Sequence, residues 1–165
     1  NKKTLILSLS LAALSCLPLS SSLAAGLPTF KSNKAMTEYF WNEVFNKHNT
    51  AVIDSLVGSD YKQHSPEFAD GKQAFKTGVS NFLKAYPNST AVVKHIGADG
   101  DLVFIHNHIK LDKNDRGQAA VDIFRIKDGK IVEHWDVIQD IPEKTANNNT
   151  IFKENGLSPR QSVFI

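Results

Sequence analysis

The chain reads as an α+β domain in which helices come first and a bent, mostly antiparallel sheet follows and wraps one face around them. Three observations carry that reading. Apolar residues recur at helical spacing as far as Tyr86, and the period drops to two from Ser89 onward. The second half is also punctuated by turn sequences: Asp99-Gly100, Asn114-Asp115-Arg116-Gly117 and Asp128-Gly129. A length of 165 residues suits one compact domain and excludes large multidomain machinery.

Taken in order, Asn1, Lys2 and Lys3 precede an almost wholly apolar run from Leu5 to Leu17 and then the small residues Ser20 to Ala25. This is the pattern of a secretory signal over residues 1–25, with cleavage expected after Ala24 or Ala25. A membrane span needs about 20 apolar residues; this run is shorter and is interrupted by Pro18. The expectation is therefore a secreted or periplasmic protein with no stable membrane insertion. From Ser32 to Ser55, Met36, Phe40, Val44 and Phe45 mark an amphipathic helix capped by Ser32 or Asn33, with a second helical stretch around Thr50 to Val57. Asp60 to Pro66 has no helical period, and Pro66 disfavours helix at Ser65, so a short extended segment is expected there. Lys72 to Tyr86 carries Phe75, Val79, Phe82 and Leu83 at helical spacing, and Pro87 closes it. Four strands follow: Thr90 to Ala98, Leu102 to Leu111, Gln118 to Ile126 and Lys130 to Gln139. The tail, 153–165, is read as irregular.

Composition excludes several kinds of function. The 19 Lys and Arg residues exceed the 17 Asp and Glu residues by two, and Lys2 and Lys3 account for that surplus. The remaining chain is balanced, so its charge leaves no footprint for nucleic acid. Cys16 is the only cysteine and lies in the leader, which removes disulfide, thiol and cysteine–zinc chemistry from residues 26–152. No phosphate-binding glycine loop and no GxSxG nucleophile turn is present.

The polar residues that interrupt the strands are the candidates for chemistry. On Leu102 to Leu111, alternation places His106 and His108 on one face, about 7 Å apart. Asp122 is the only carboxylate among Ala120, Phe124 and Ile126 on its own face. A desolvated carboxylate becomes a better base and a nearby imidazole can relay its proton, so His106, His108 and Asp122 form a possible acid/base set. The ordinary alternative is an exposed strand aspartate paired with a cation. Which residue of Glu133-His134-Trp135-Asp136 faces Asp122 depends on the hairpin at Asp128-Gly129: a two-residue turn sets Trp135 opposite it, a three-residue turn sets His134. His64, beside Tyr61, could cap a pocket mouth. His106-Asn107-His108 also resembles the start of a two-histidine metal site, but Ile109 to Lys113 lacks the glutamate that usually follows. No metal is therefore expected.

Three stretches together are similar to a known family: Asp99 to His108, Val121 to Ile126, and Asp128 to Val137, with Tyr61 to Pro66 and Ala146 to Phe152 supporting them. They resemble the SnoaL-like polyketide cyclases, and in particular their predicted aldol-condensation branch, within the nuclear transport factor two superfamily. The resemblance covers roughly residues 34–152, within a domain read as 26–152. It implies a cone-shaped fold whose curved sheet encloses a cavity, acid/base chemistry without a cofactor on a small carbonyl compound, and a homodimer formed through the outer sheet face. It also implies that Asp122 is the catalytic acid/base, with His108 its partner; His106, Tyr61, His64, Phe124, His134 and Trp135 are the residues expected to bind substrate. Ala120 stands where such cyclases carry a second histidine. A non-catalytic protein that binds a small ligand in the same cavity is the alternative. Phe40, Phe75, Phe82, Ile105 and Phe124 are expected in the core or cavity wall.

Overall fold

A computed structural model describes residues 26–152. The expected leader, 1–25, and the expected tail, 153–165, lie outside the described residues. Ser32 opens the first helix: its Oγ accepts a hydrogen bond from the Ala35 N–H at 3.1 Å, satisfying one of the donors a helix start leaves open. This helix, α1 (Asn33–Trp41), runs on as a π-helical turn over Asn42–Asn46. The turn is tied to the sheet. Asn46 accepts from the Ala91 N–H at 2.8 Å and donates to the Ala91 carbonyl at 3.0 Å, while Trp41 Nε1 donates to the same carbonyl at 2.7 Å. These bonds occupy backbone groups that an edge strand would otherwise leave open.

After α2 (Ala51–Leu56) come β1 (Val57–Gln63), α3 (Lys72–Ala85), β2 (Thr90–Asp99), β3 (Leu102–Lys110), β4 (Gln118–Lys127) and β5 (Lys130–Asp140). The sheet is open, with order β1-β5-β4-β3-β2; β1 runs parallel to β5 and every other pair is antiparallel. Helices first and a curved antiparallel sheet after them is the expected α+β architecture. The segment expected to be merely extended is a fifth strand. Its burial pattern does not alternate cleanly, because its register against β5 shifts between Val57 and Lys62, which hides the period of two.

Curvature comes from irregularities in pairing, which bend a strand and sharpen its twist. The register shifts between Val93 and His95 on β2, and between Arg125 and Ile126 on β4. The concave face packs Ile105, Phe124 and Ile131 against Phe40, Val44 and Ile53 of the helices, all essentially inaccessible to solvent. Phe75 is buried with them, whereas Phe82 is half-buried. Aromatic edges lock the contact: Phe124 meets Phe40 and Trp41 edge-on at 6.1 and 6.0 Å between ring centres.

Candidate active site

Register decides which polar groups meet. Ile105 pairs with Asp122, Asn107 with Ala120, and Asp122 with Asp136, so these residues share the concave face. The Asp128-Gly129 turn has two residues, since Lys127 pairs with Lys130 and Ile126 with Ile131. That register alone would set Trp135 opposite Asp122. One extra residue at Val132 then shifts the pairing to Arg125–Glu133 and Phe124–His134, which turns His134 inward and Trp135 outward.

Asp122 and His134 are each 5% exposed. His134 Nε2 lies 2.7 Å from Asp122 Oδ1, and Asn107 donates its amide to Asp122 Oδ2 at 2.7 Å. On its far side, His134 Nδ1 lies 2.7 Å from Gln63 Oε1. That oxygen also accepts from the Ser65 backbone N–H at 3.0 Å, and Gln63 Nε2 donates to the Tyr61 hydroxyl at 2.8 Å. A backbone N–H can only donate, so the atom facing it is the Gln63 carbonyl oxygen and His134 Nδ1 must carry a hydrogen. The contact between Nε2 and Asp122 then needs one further proton. The pair is either imidazolium–carboxylate or imidazole–carboxylic acid, and in both forms it is net neutral and shares a single proton.

Between this floor and α3 lies a cavity of about 760 Å³. Its walls are largely apolar, including Trp41, Phe45, Phe75 and Phe82, and Asp122, His134 and Asp136 reach it from the sheet. Burial in such surroundings strengthens electrostatic interactions. Tyr61, buried behind Gln63, has its hydroxyl pushed well above the ordinary tyrosine range, first by burial and then by the charges of Asp122 and Asp136. Asp122, His134 and Asp136 also offer ligand atoms within 4.8 Å of one another. Two carboxylates and one imidazole match a divalent cation in donor type, although His134 Nε2 is already engaged by Asp122.

The structure separates the expected site residues into two groups. Asp122, Phe124 and His134 reach the cavity. His106 and His108 do not join Asp122: they pair with Val121 and Ala119, whose side chains leave the opposite face of β4, so both imidazoles sit on the convex side. There His106 Nδ1 meets His95 Nδ1 at 2.9 Å, and the two rings stack. Burial and His95 lower the affinity of His106 for a proton. His108 Nε2 donates to the Arg116 carbonyl at 2.9 Å and its ring stacks on Phe152. His64 and Trp135 are likewise convex; their rings stack at 4.9 Å, and His64 Nε2 bonds Glu133 at 2.8 Å. Tyr61 is buried against Phe75 and stands behind the cavity wall. The physical reason is parity. Residues an odd number of places from an inward neighbour on a regular strand point outward, and Asn107, between the two histidines, takes the inward place. Asn107, Gln63 and Asp136 are the polar residues that the sequence reading passed over. The signal for Asn107 was its position among Val103, Ile105 and Ile109 on an otherwise apolar face.

A curved, mostly antiparallel sheet folded over N-terminal helices, with acid/base groups on its concave floor, defines the NTF2-like class of α+β cones. Within that class the chain belongs to the SnoaL-like domain family, which matches residues 37–134. Among solved structures, one from Acidithiobacillus ferrooxidans, provisionally assigned as a polyketide cyclase, is 16% identical at a TM-score of 0.57, over 67% of this chain and 91% of that one. Wild-type IdmH from Streptomyces antibioticus, also provisionally assigned as a polyketide cyclase, is 24% identical at a TM-score of 0.54, over 65% of this chain and 92% of its own. An NTF2-like protein of unknown function from Mesorhizobium loti is 21% identical at 0.56, over 68% and 97%. No curated protein matches the chain. None of the described helices is long and apolar enough to cross a membrane.

Proposed function

We propose that this protein is a cofactor-independent acid/base catalyst of the aldol or cyclase type, acting on a small carbonyl compound held in the cavity. One observation supports it above the rest. Asp122 is a buried carboxylate at the floor of an apolar cavity, with one oxygen oriented by Asn107 and the other sharing a proton with a histidine whose second nitrogen is pinned by Gln63. In this reading Asp122 takes a proton from the carbon next to the substrate carbonyl. The electrons of that C–H bond pass to the carbonyl oxygen as an enolate, and the carbonyl itself is the electron sink. His134 is a positioning residue that adjusts where the shared proton sits as charge on Asp122 changes. Apolar walls exclude water from the enolate.

The test follows alpha-proton signals of ketones and 1,3-dicarbonyls by NMR in D₂O. Asp122→Asn suits this test because the new amide N–H can replace the shared proton toward His134 Nε2, and its carbonyl can still accept from Asn107. Exchange is expected to fall about 10²–10⁴-fold in the folded variant, the usual contribution of a positioned base. Exchange that persists undiminished in Asp122→Asn contradicts the proposal.

A second reading rests on the same contacts. Both Asp122 oxygens are engaged by protein groups, which suits a carboxylate that anchors the fold of a non-catalytic binding protein. Absence of exchange with every compound, together with a ligand that co-purifies in the cavity, favours it. We also propose export directed by residues 1–25 and self-association through the convex face. Val121 and Val137 support the latter, being paired on that face and exposed, Val137 to 70%. Sedimentation velocity of wild type and Val137→Lys tests the association: a lighter species is expected for the variant, and unchanged sedimentation contradicts it.

A further inference from the structure

Charge in the cavity is one-sided. Asp122 and His134 together are neutral because they share one proton, which leaves Asp136 as an uncompensated carboxylate in the wall. Its side chain has no hydrogen-bond or ion-pair partner among the described residues. Among the described residues no lysine and no arginine lines the cavity, and the other acidic residue on its lining is Glu67, which is exposed. The field of Asp136 reaches deep enough to raise the Tyr61 hydroxyl together with that of Asp122. A buried or half-buried charge without a counter-charge costs free energy, and a ligand that supplies the opposite sign recovers it.

We propose that the preferred substrate is a carbonyl compound that carries a protonated or quaternary amine, with Asp136 as the specificity-determining residue that receives the cation. This rests on the acid/base reading of Asp122 and adds the charge class of its substrate. The chemistry supports the pairing. The proton that Asp122 takes leaves the Asp122–His134 pair cationic and so offsets the enolate, while Asp136 is still without a counter-charge among the described residues. A positive charge on the substrate supplies that counter-charge already in the bound complex, so it acts chiefly on binding. A carboxylate on the substrate has the opposite effect. The remainder of the cavity, apolar and of about 760 Å³, accepts the hydrocarbon part.

The experiment uses three matched probes: a methyl ketone bearing a trimethylammonium group three methylenes away, its neutral tert-butyl isostere, and the corresponding carboxylate. Affinity is read by calorimetry and alpha-proton exchange by NMR, for the wild-type chain, Asp136→Asn and Asp122→Asn. In wild type the ammonium probe is expected to bind about tenfold or more tighter than the neutral isostere at low salt, a ratio set by charges a few ångströms apart in a protein-like dielectric, with the carboxylate weakest. In Asp136→Asn the ammonium-to-neutral ratio is expected to fall toward one. Equal wild-type affinity for ammonium and neutral probes overturns the inference, and this arm depends on no variant. A preference that survives Asp136→Asn overturns the role of Asp136. A site that takes Zn²⁺ through Asp136 and shows no ammonium preference also overturns it. Asp122-dependent exchange without charge preference removes only the substrate class, whereas charge-selective binding without exchange removes only the catalysis.

Discussion

Gln63 does more for the site than its chemistry suggests. Its carboxamide accepts from Ser65 N–H and His134 Nδ1 and donates to Tyr61, so one side chain sets the protonation pattern of the histidine beside Asp122. Gln63→Leu removes all three bonds and leaves buried donors unpaired. A loss of about 1–3 kcal/mol in unfolding free energy is expected for such a change. A changed pH profile of exchange is also expected, since the Nδ1–H state is no longer enforced. Denaturant unfolding with the pH profile checks both; a variant as stable as wild type with an unmoved profile contradicts the role. His106 supplies a residue-scale pH effect on the other face. Its native affinity for protons is lowered by burial and then by His95, from an ordinary value of 6.5. A base that is harder to protonate when folded leaves the unfolded chain binding more protons, so stability is full above 6.5 and declines as the pH falls from there toward the lowered native value. Thermal unfolding across that window is expected to show a drop that is smaller in His106→Gln. An identical drop in the variant would assign it to other groups.

At the scale of elements, the β3–β4 connection depends on Gly117. It has φ of +80°, and a Cβ built there would lie 2.1 Å from the Ile109 carbonyl oxygen, a backbone atom that cannot move aside cheaply. Gly117→Ala is expected to cost well over the ~1 kcal/mol of a tolerated glycine replacement. Because Gln118 lies on the cavity lining, a change in ligand affinity is expected as well; unfolding and probe binding measure the two, and wild-type values for both would contradict the argument. The elements also explain which parts were legible in sequence. Helices and hairpins announced themselves, because Phe75, Val79 and Leu83 keep a helical period and the glycine-containing turns mark the strand ends. Asp122 was legible as the single carboxylate on an apolar strand face. The facing of His134 was not, because it depends on the extra residue at Val132, a feature with no composition signal. Strand β1 was hidden for a similar reason: its irregular pairing with β5 breaks the alternation by which strands are recognised. Likewise His106 and His108 looked like partners of Asp122 because their residue types suit chemistry. Alternation had already placed Asn107 on the opposite face from them, and only cross-strand register reveals that this is the face of Asp122.

Across the described residues a sheet is bent over its helices so that a largely apolar cavity remains between them, and the same contacts that stabilise the fold shape that space. Phe124 shows the link. Its ring meets Phe40, Trp41 and His134, with the imidazole 4.8 Å away, and its side chain also lines the cavity. Phe124→Ala is expected to destabilise the fold by about 3–5 kcal/mol, the range for deleting a buried phenyl ring. It is also expected to loosen His134 against Asp122. Phe124→Leu keeps most of the volume, so a smaller loss of stability with a measurable loss of exchange is expected of it. Exchange that tracks stability alone in both variants would contradict a positioning role for the ring.

The claim on which the site depends is that the fold holds hydrogen on His134 Nδ1 and a single proton between Nε2 and Asp122. Long-range ¹H–¹⁵N correlation spectra of ¹⁵N-histidine-labelled protein, with His134 assigned by its substitution, measure this directly. Nδ1 is expected to carry hydrogen throughout the pH range in which the protein stays folded, and the Nε2 signal is expected to change in Asp122→Asn. A neutral His134 with hydrogen on Nε2 and a bare Nδ1 would contradict it, because Gln63 would then not be setting the state of the pair.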